Sequence, residues 1–188
     1  MTPHERLLDM LATRSARTGS FTLASGRHSS LYIDARLTTM SPDGLATIGP
    51  LALAALRESA WNPDAVGGLT LGADPVSYAI AHASALAGTP IRAFTVRKEA
   101  KSHGTGKLIE GPFHGGDRVV VIEDVITTGG SALRAVEAVR AAGGTVLGVL
   151  AVVDREEGGR EALNAAGLPV IALARASEIV ALLPRASS

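Results

Sequence analysis

Apolar residues along the chain fall into short continuous runs that alternate with segments of helical period. The opening segment "MTPHERLLDMLATRSARTG" reads as an amphipathic helix carrying charges throughout, not as a signal peptide. "FTLASGRHSSLYIDAR", Phe21 to Arg36, reads as two short strands around a Ser/Gly turn. "SPDGLATIGPLALAALRE" predicts a helix with Ser41 as N-cap and Pro42 at its first position, kinked or split at Pro50. A short strand near Ala65–Gly68, the loop "GLTLGADP", a small-residue helix through "VSYAIAHASALAG" and the strand "PIRAFTV" follow. Arg97 to Gly116 is polar with little periodicity. Beyond it strand and helix alternate: "RVVVIE", "SALRAVEAVRAAGG", "TVLGVLAVVD", "GREALNAAG", "PVIALA" and "SEIVALL". Strands that are apolar on both faces, interleaved with helices, predict an α/β fold with a mostly parallel sheet of about five strands flanked by helices. No internal repeat, low-complexity tract or linker interrupts the pattern.

Composition narrows the picture. At 188 residues the chain is long enough for one domain, 1–188, with a full core. A hydrophobic content of 46% excludes a disordered chain, and a formal net charge of +0 advertises no general nucleic-acid surface. Cysteine is absent, which removes disulfides, thiolate metal sites and thiol nucleophiles. No apolar run approaches the roughly 18 residues that span a bilayer. The expectation is a soluble cytoplasmic protein binding neither membrane nor nucleic acid.

The densest chemistry lies in "VVVIEDVITTGGSAL", Val119 to Leu133. A buried strand ends in adjacent carboxylates, Glu123 and Asp124, then gives way to Thr127, Thr128, Gly129, Gly130 and Ser131 at a helix start. Ligands of open α/β sheets sit beyond the carboxyl ends of the strands. Consecutive backbone N–H groups, hydroxyls and glycines at a helix N-terminus suit a phosphate. The frame is neither a Walker loop nor a G-x-G-x-x-G dinucleotide fingerprint. Carboxylates beside such a cradle suit ribose hydroxyls or Mg²⁺, so a sugar phosphate meets both demands. A Gly-rich turn with solvated acids is the ordinary alternative for the loop alone; the full string argues against it.

All three lysines of the chain, Lys98, Lys101 and Lys107, fall in "VRKEAKSHGTGKLIEGP". Arginine serves everywhere else, so the clustering points to a need for flexible ammonium groups. With Arg97, His103 and several glycines, the segment reads as a basic lid over a polyanion. A solvated charged loop is the plainer reading. No aromatic residue is interleaved, which argues against nucleic acid. Among the remaining histidines, His28 reads as a turn residue, His82 as a core or boundary residue, and His4 and His114 as surface residues. None forms a cluster with zinc-ligand spacing.

The string Val119–Ser131 resembles the phosphoribosyl-pyrophosphate (PRPP) motif of the type I phosphoribosyltransferases. "RKEAKSHG" and "FTLASGRHSSLYIDAR" narrow the resemblance to the orotate phosphoribosyltransferases, and "VVDRE" matches the place of that family's orotate-binding arginine. The resemblance implies the type I phosphoribosyltransferase fold. A small N-terminal hood, about 1–40 with C-terminal contributions, would cover a core of about 41–175. It implies transfer of the phosphoribosyl group of PRPP to orotate in UMP biosynthesis, with Mg²⁺ held through PRPP near Glu123 and Asp124. Arg97, Lys98, Lys101 and His103 would meet the pyrophosphate. Glu123, Asp124, Val125, Ile126, Thr127, Thr128, Gly129, Gly130 and Ser131 would hold the ribose 5-phosphate. Thr127 and Arg155 would hold orotate, and Thr70, Leu71 and Gly72 would form a pyrophosphate loop. Lys101, His103, Arg97 and Asp124 are the candidate catalytic residues. The resemblance further implies a homodimer with Lys98 reaching the neighbouring subunit. The chain departs from the family at Ala24 and Leu71, where many members carry lysine; Arg27 is the nearest charge to Ala24 in sequence. Two other readings remain open: transfer to another base, and a non-catalytic PRPP-binding regulator.

Overall fold

The computed structural model describes residues 1–22, 28–99 and 107–184. Helix α1 (Pro3–Met10) opens with a reciprocal cap between Thr2 and Glu5 and runs into a π-helical turn, Leu11–Ser15. The chain leaves the helix earlier than its sequence suggested. Strand β1 (Ala16–Thr22) already pairs antiparallel with β2 (His28–Ile33) from Ala16 onward. The switch is fixed by Ser15, whose hydroxyl bonds the buried Thr38 hydroxyl at 2.8 Å and whose carbonyl accepts from Asp34 N–H at 2.9 Å. A short α2 (Arg36–Thr39), absent from the sequence reading, leads into α3 (Pro42–Glu58). Ser41 caps α3 as expected, with Gly44 N–H donating to its Oγ at 3.1 Å.

Pro50 does not split α3, which runs through it as one element. The hydrogen bond it removes would have ended on the carbonyl of Ala46. Both residues lie on the exposed face of the helix, so water can satisfy that carbonyl and the break costs little.

The rest of the chain alternates strand and helix. The elements are β3 (Ala65–Leu69), α4 (Ala73–Leu86), β4 (Arg92–Val96), β5 (Ile109–Glu110), β6 (Arg118–Ile126), α5 (Gly130–Ala141), β7 (Thr145–Asp154), α6 (Gly159–Ala165), β8 (Val170–Arg175) and α7 (Ala176–Ala181). They build a 6-stranded sheet in the order β5-β4-β3-β6-β7-β8. The five expected strands are mutually parallel, and β5 adds an antiparallel edge on β4. At 2 residues β5 is too short to show a period.

Strand alternation divides the core. Val120 and Ile122 of β6 face α1, α3, α4 and α7 with Leu7, Ile48, Val76, Ile80 and Ile179. Val119 and Val121 face the opposite layer with Ala135, Val136, Val139 and Leu163. Helix α1 packs on α3, β8 and α7, so the N-terminal segment is seated partly by the C-terminal helix.

Close approach of β3 to β6 requires glycine. A Cβ at Gly68 would run into the Ile122 carbonyl and lie 2.7 Å from the Ala73 Cβ. Gly68→Ala should therefore cost about 1–3 kcal/mol of stability through overpacking, read by urea denaturation. A variant as stable as its parent would refute that close contact.

Candidate active site

The order of the strands locates a crevice. From β3 the chain proceeds to β4 on one side, whereas from β6 it proceeds to β7 and β8 on the other. The order of the sheet thus reverses between β3 and β6, the switch point at which open α/β sheets bind ligands. The β3–β6 ladder covers only Ala65–Gly67 against Val119–Val121. Strand β6 continues beside β7 as far as Ile126, opposite Asp154. The carboxyl end of β6 therefore stands past its last pairing with β3, and the segments leaving β3, β4, β6 and β7 all emerge at this end. They carry, respectively, Thr70–Gly72, Arg97–Lys98, Thr127–Ser131 and Arg155.

The acidic pair occupies the carboxyl end of β6. Successive side chains point to opposite faces, so Glu123 turns toward the α5 layer and Asp124 toward α4. Glu123 is only 6% exposed, and its Oε1 makes no hydrogen bond among the described residues. Burial, and then the neighbouring Asp124 charge, push its carboxyl up to about 8. Asp124 is half-buried and accepts a hydrogen bond from Val125 N–H at 2.9 Å. Burial raises its pKa as well, while the backbone donor and the field of Arg36 oppose the shift. Its carboxylate lies against Gly72, where a Cβ would collide with it.

Arg36 escaped the sequence reading. Its guanidinium is held by Asp34, with Nε and Nη2 at 2.8 and 2.9 Å from the two carboxylate oxygens, and it stands within electrostatic reach of Asp124. The i, i+2 spacing of Asp34 and Arg36 is the one local signal, and it does not reveal that the pair faces β6.

The segment after β6 is a glycine-containing turn that enters a helix N-terminus. Helix α5 starts at Gly130 without a side-chain cap, and Gly129 enters it at φ 82, a conformation that suits glycine. The first backbone donor returned to the helix is Leu133 N–H, to Gly129 O. The N–H groups of Gly130, Ser131 and Ala132 are thus left at the positive end of the helix dipole. Thr128, Gly130 and Ser131 are exposed, and Thr127 is half-buried. The loop is braced from below: Gly159, at the start of α6, packs on the Thr127 carbonyl and the Ile126 side chain.

Across the crevice, Thr70 N–H is tied to Val96 O at 2.8 Å, and the Thr70–Leu71 peptide is cis. The N–H groups of Leu71 and Gly72 make no hydrogen bond among the described residues and remain available to an anion. The Leu71 side chain is exposed. Arg97 follows β4, its N–H bonded to Leu108 O at 2.8 Å and its guanidinium 3.7 Å from Glu110. Lys98 is exposed, and its carbonyl accepts from Arg134 of α5 at 3.0 Å. Lys101, His103, Ala24 and Arg27 lie outside the described residues.

Arg155 is buried at the end of β7. Its N–H donates to Ile126 O at 2.9 Å, and its guanidinium donates to Leu31 O of β2 at 3.0 Å and to Glu157 at 2.6 Å. It joins the N-terminal hairpin to the carboxyl end of the sheet. His82 departs from expectation. It is exposed on α4, because its position on the helix faces the open groove between α3 and α4.

No protein-family model matches the chain. Full-length relatives do. The chain is 47% identical to an orotate phosphoribosyltransferase of Aquifex aeolicus, over 96% of this chain and 99% of that protein. It is 51% identical to one of Mycobacterium avium, over 88% and 89% respectively. Among solved structures, it superposes with a TM-score of 0.81 on the Mycobacterium tuberculosis orotate phosphoribosyltransferase in complex with PRPP. That match has 41% identity and covers 95% of this chain and 99% of the other.

The Glu123 carboxyl makes a signed prediction. Below its ordinary value of 4.5 both folded and unfolded chains hold the proton, and no penalty arises. Between 4.5 and about 8 the unfolded chain releases the proton while the folded one keeps it, so stability falls as pH rises. Above that range the penalty is constant. Glu123→Gln removes the titration. The stability of the native chain relative to the variant should decline across this window by on the order of a few kcal/mol. Parallel stability–pH curves would contradict burial of this carboxyl.

Proposed function

The chain belongs to the orotate phosphoribosyltransferase family, and we propose on that premise that its switch-point crevice carries the transfer. The fold is that of the type I phosphoribosyltransferases. The reaction moves the phosphoribosyl group of PRPP to orotate, giving orotidine 5'-phosphate and pyrophosphate in pyrimidine biosynthesis. The observation that supports the siting is the convergence of an uncapped helix N-terminus, a buried acidic pair and a loop of free amides around one crevice.

Each segment takes a role suited to its chemistry. The amides of Gly130 and Ser131, with the Thr127 and Thr128 hydroxyls, hold the 5-phosphate. Glu123 and Asp124 engage the ribose hydroxyls; protonated at neutral pH, Glu123 can donate as well as accept. The amides of Leu71 and Gly72 hold the pyrophosphate, joined by Arg97, Lys98, Lys101 and His103. Arg155 presents its guanidinium to the orotate carboxylate, with Thr127 beside the ring. Orotate N1 then attacks the anomeric carbon as the bond to pyrophosphate breaks, through an oxocarbenium-like transition state. Positioning and positive charge aimed at the departing group supply the catalysis, without a covalent intermediate.

Mg²⁺ suits this donor set. Among the described residues no group of three or more His, Asp or Glu side chains could hold a metal alone. One or two carboxylates with substrate phosphates are the usual Mg²⁺ arrangement, and a bound cation would favour the ionised form of Glu123. Mg²⁺ held mainly by PRPP, near Glu123 and Asp124, would neutralise part of the leaving-group charge. We assign the chain 1–188 to a single domain, with the hairpin β1–β2 and α1 as a hood over the base. We further assign it to a homodimer in which Lys98 serves the neighbouring site, and to the cytoplasm. No helix among the described residues is long and apolar enough to cross a membrane.

With purified protein, PRPP and Mg²⁺, absorbance should report PRPP-dependent loss of orotate. Uracil, adenine and hypoxanthine should remain unchanged. Turnover of a different base would refute the pocket assignment, and tight PRPP binding without turnover of any base would indicate a sensor. In the same assay Lys101→Ala should lower kcat by about 100- to 1,000-fold with little change in PRPP affinity. An unchanged kcat would remove Lys101 from the leaving-group role.

A further inference from the structure

Behind the pyrophosphate loop lies a connected set of side chains that neither the motif nor the proposed contacts account for. Asp74, in the first turn of α4, is 9% exposed. Its carboxylate accepts from Thr70 Oγ1 at 2.7 Å through one oxygen and from Thr95 Oγ1 of β4 at 2.7 Å through the other. The Thr95 hydroxyl, having donated to Asp74, accepts from the Tyr78 hydroxyl at 2.9 Å. Tyr78 is 53% exposed and lines the groove between α3 and α4, so the set runs from the surface to the loop.

This arrangement has a consequence for the loop. Thr70 is its first residue, held at its N–H by Val96 O and at its hydroxyl by Asp74. One anchor comes from β4 and the other from α4, and the N–H groups of Leu71 and Gly72 that follow Thr70 make no hydrogen bond among the described residues. The chain has no lysine here to attract the anion by charge, so amide direction must do more of the binding. A buried carboxylate that receives two hydroxyls is a rigid anchor, and rigid support of binding groups is what keeps their geometry productive.

We infer that Asp74 is a positioning residue for the pyrophosphate loop, acting through Thr70 and itself oriented by Thr95 and Tyr78. The inference rests on the proposed siting of pyrophosphate at Thr70–Gly72. It predicts an effect confined to one substrate: PRPP and pyrophosphate lose affinity, and orotate does not.

The test compares Asp74→Ala, Thr70→Val, Thr70→Ser and Tyr78→Phe by steady-state kinetics, by calorimetric titration with Mg²⁺-pyrophosphate, and by thermal melting. Asp74→Ala and Thr70→Val should raise KM for PRPP and weaken pyrophosphate binding together, by about 10- to 100-fold. KM for orotate should stay within about twofold, too small a change to signal a misplaced binding group. Thr70→Ser keeps the hydroxyl and should recover most of the PRPP and pyrophosphate affinity that Thr70→Val loses, while Tyr78→Phe cuts only the outermost link and should show a smaller effect of the same kind. Should Asp74→Ala fail to fold, the Thr70 pair carries the comparison. Unchanged PRPP and pyrophosphate binding in a folded Thr70→Val chain would overturn the inference. So would equal losses for PRPP and orotate that track the melting temperature. If the parent chain itself turns over orotate but binds no pyrophosphate, the siting beneath the inference is what fails.

Discussion

The reversal of strand order between β3 and β6 is the constraint on which the rest of the structure depends. Parallel strands of one sheet must be joined by crossovers, and a chain that fills the sheet outward in both directions leaves a gap between its first two central strands. Here the ladder ends at Gly67 and Val121, and β6 runs on with β7 alone. Among the described residues, four chemically unusual features stand at this end of the sheet: the carboxylates on β6, the amide loop after β3, the uncapped α5 and the arginine ending β7. Gly68 and Gly72 let the two sides approach, the first against the Ile122 carbonyl and the second against the Asp124 carboxylate.

Burial gives the crevice its electrostatic character. Two adjacent carboxylates would repel and fill the site with negative charge if both were ionised. Desolvation of Glu123 raises its pKa and keeps it largely neutral at neutral pH, so the free site carries less negative charge toward an incoming polyphosphate. Among the described residues, positive potential at this end of the sheet comes from the α5 terminus and from Arg97. Arg36 is paired with Asp34, and the two act on Asp124 in opposite senses, the guanidinium lowering its pKa and the Asp34 carboxylate raising it. Catalysis by such a site rests on fixed dipoles and charges already in place before the substrate arrives.

What the sequence revealed and what it concealed divide along physical lines. The buried parallel strands were legible because they are apolar on both faces, and the phosphate cradle because few strings combine a doubly acidic strand end with Thr-Thr-Gly-Gly-Ser. Ser41 was legible as a cap because capping is local. Non-local facts were not. Strand β5 is held only by its pairing with β4. The uninterrupted α3 depends on which face of the helix Pro50 occupies. His82 is exposed because its face of α4 meets a groove. Arg36 and Asp74, the latter inside the expected loop "GLTLGADP", carry no local signal; the fold brings one within electrostatic reach of Asp124 and joins the other to Thr70, Thr95 and Tyr78.

The most direct test of the crevice is a crystal structure of the chain bound to PRPP and Mg²⁺. The account predicts the 5-phosphate on the amides of Gly130 and Ser131, the ribose hydroxyls over Glu123 and Asp124, and the pyrophosphate against Leu71 and Gly72. PRPP bound with its phosphates away from the gap between β3 and β6, for example in the groove between α3 and α4, would contradict it.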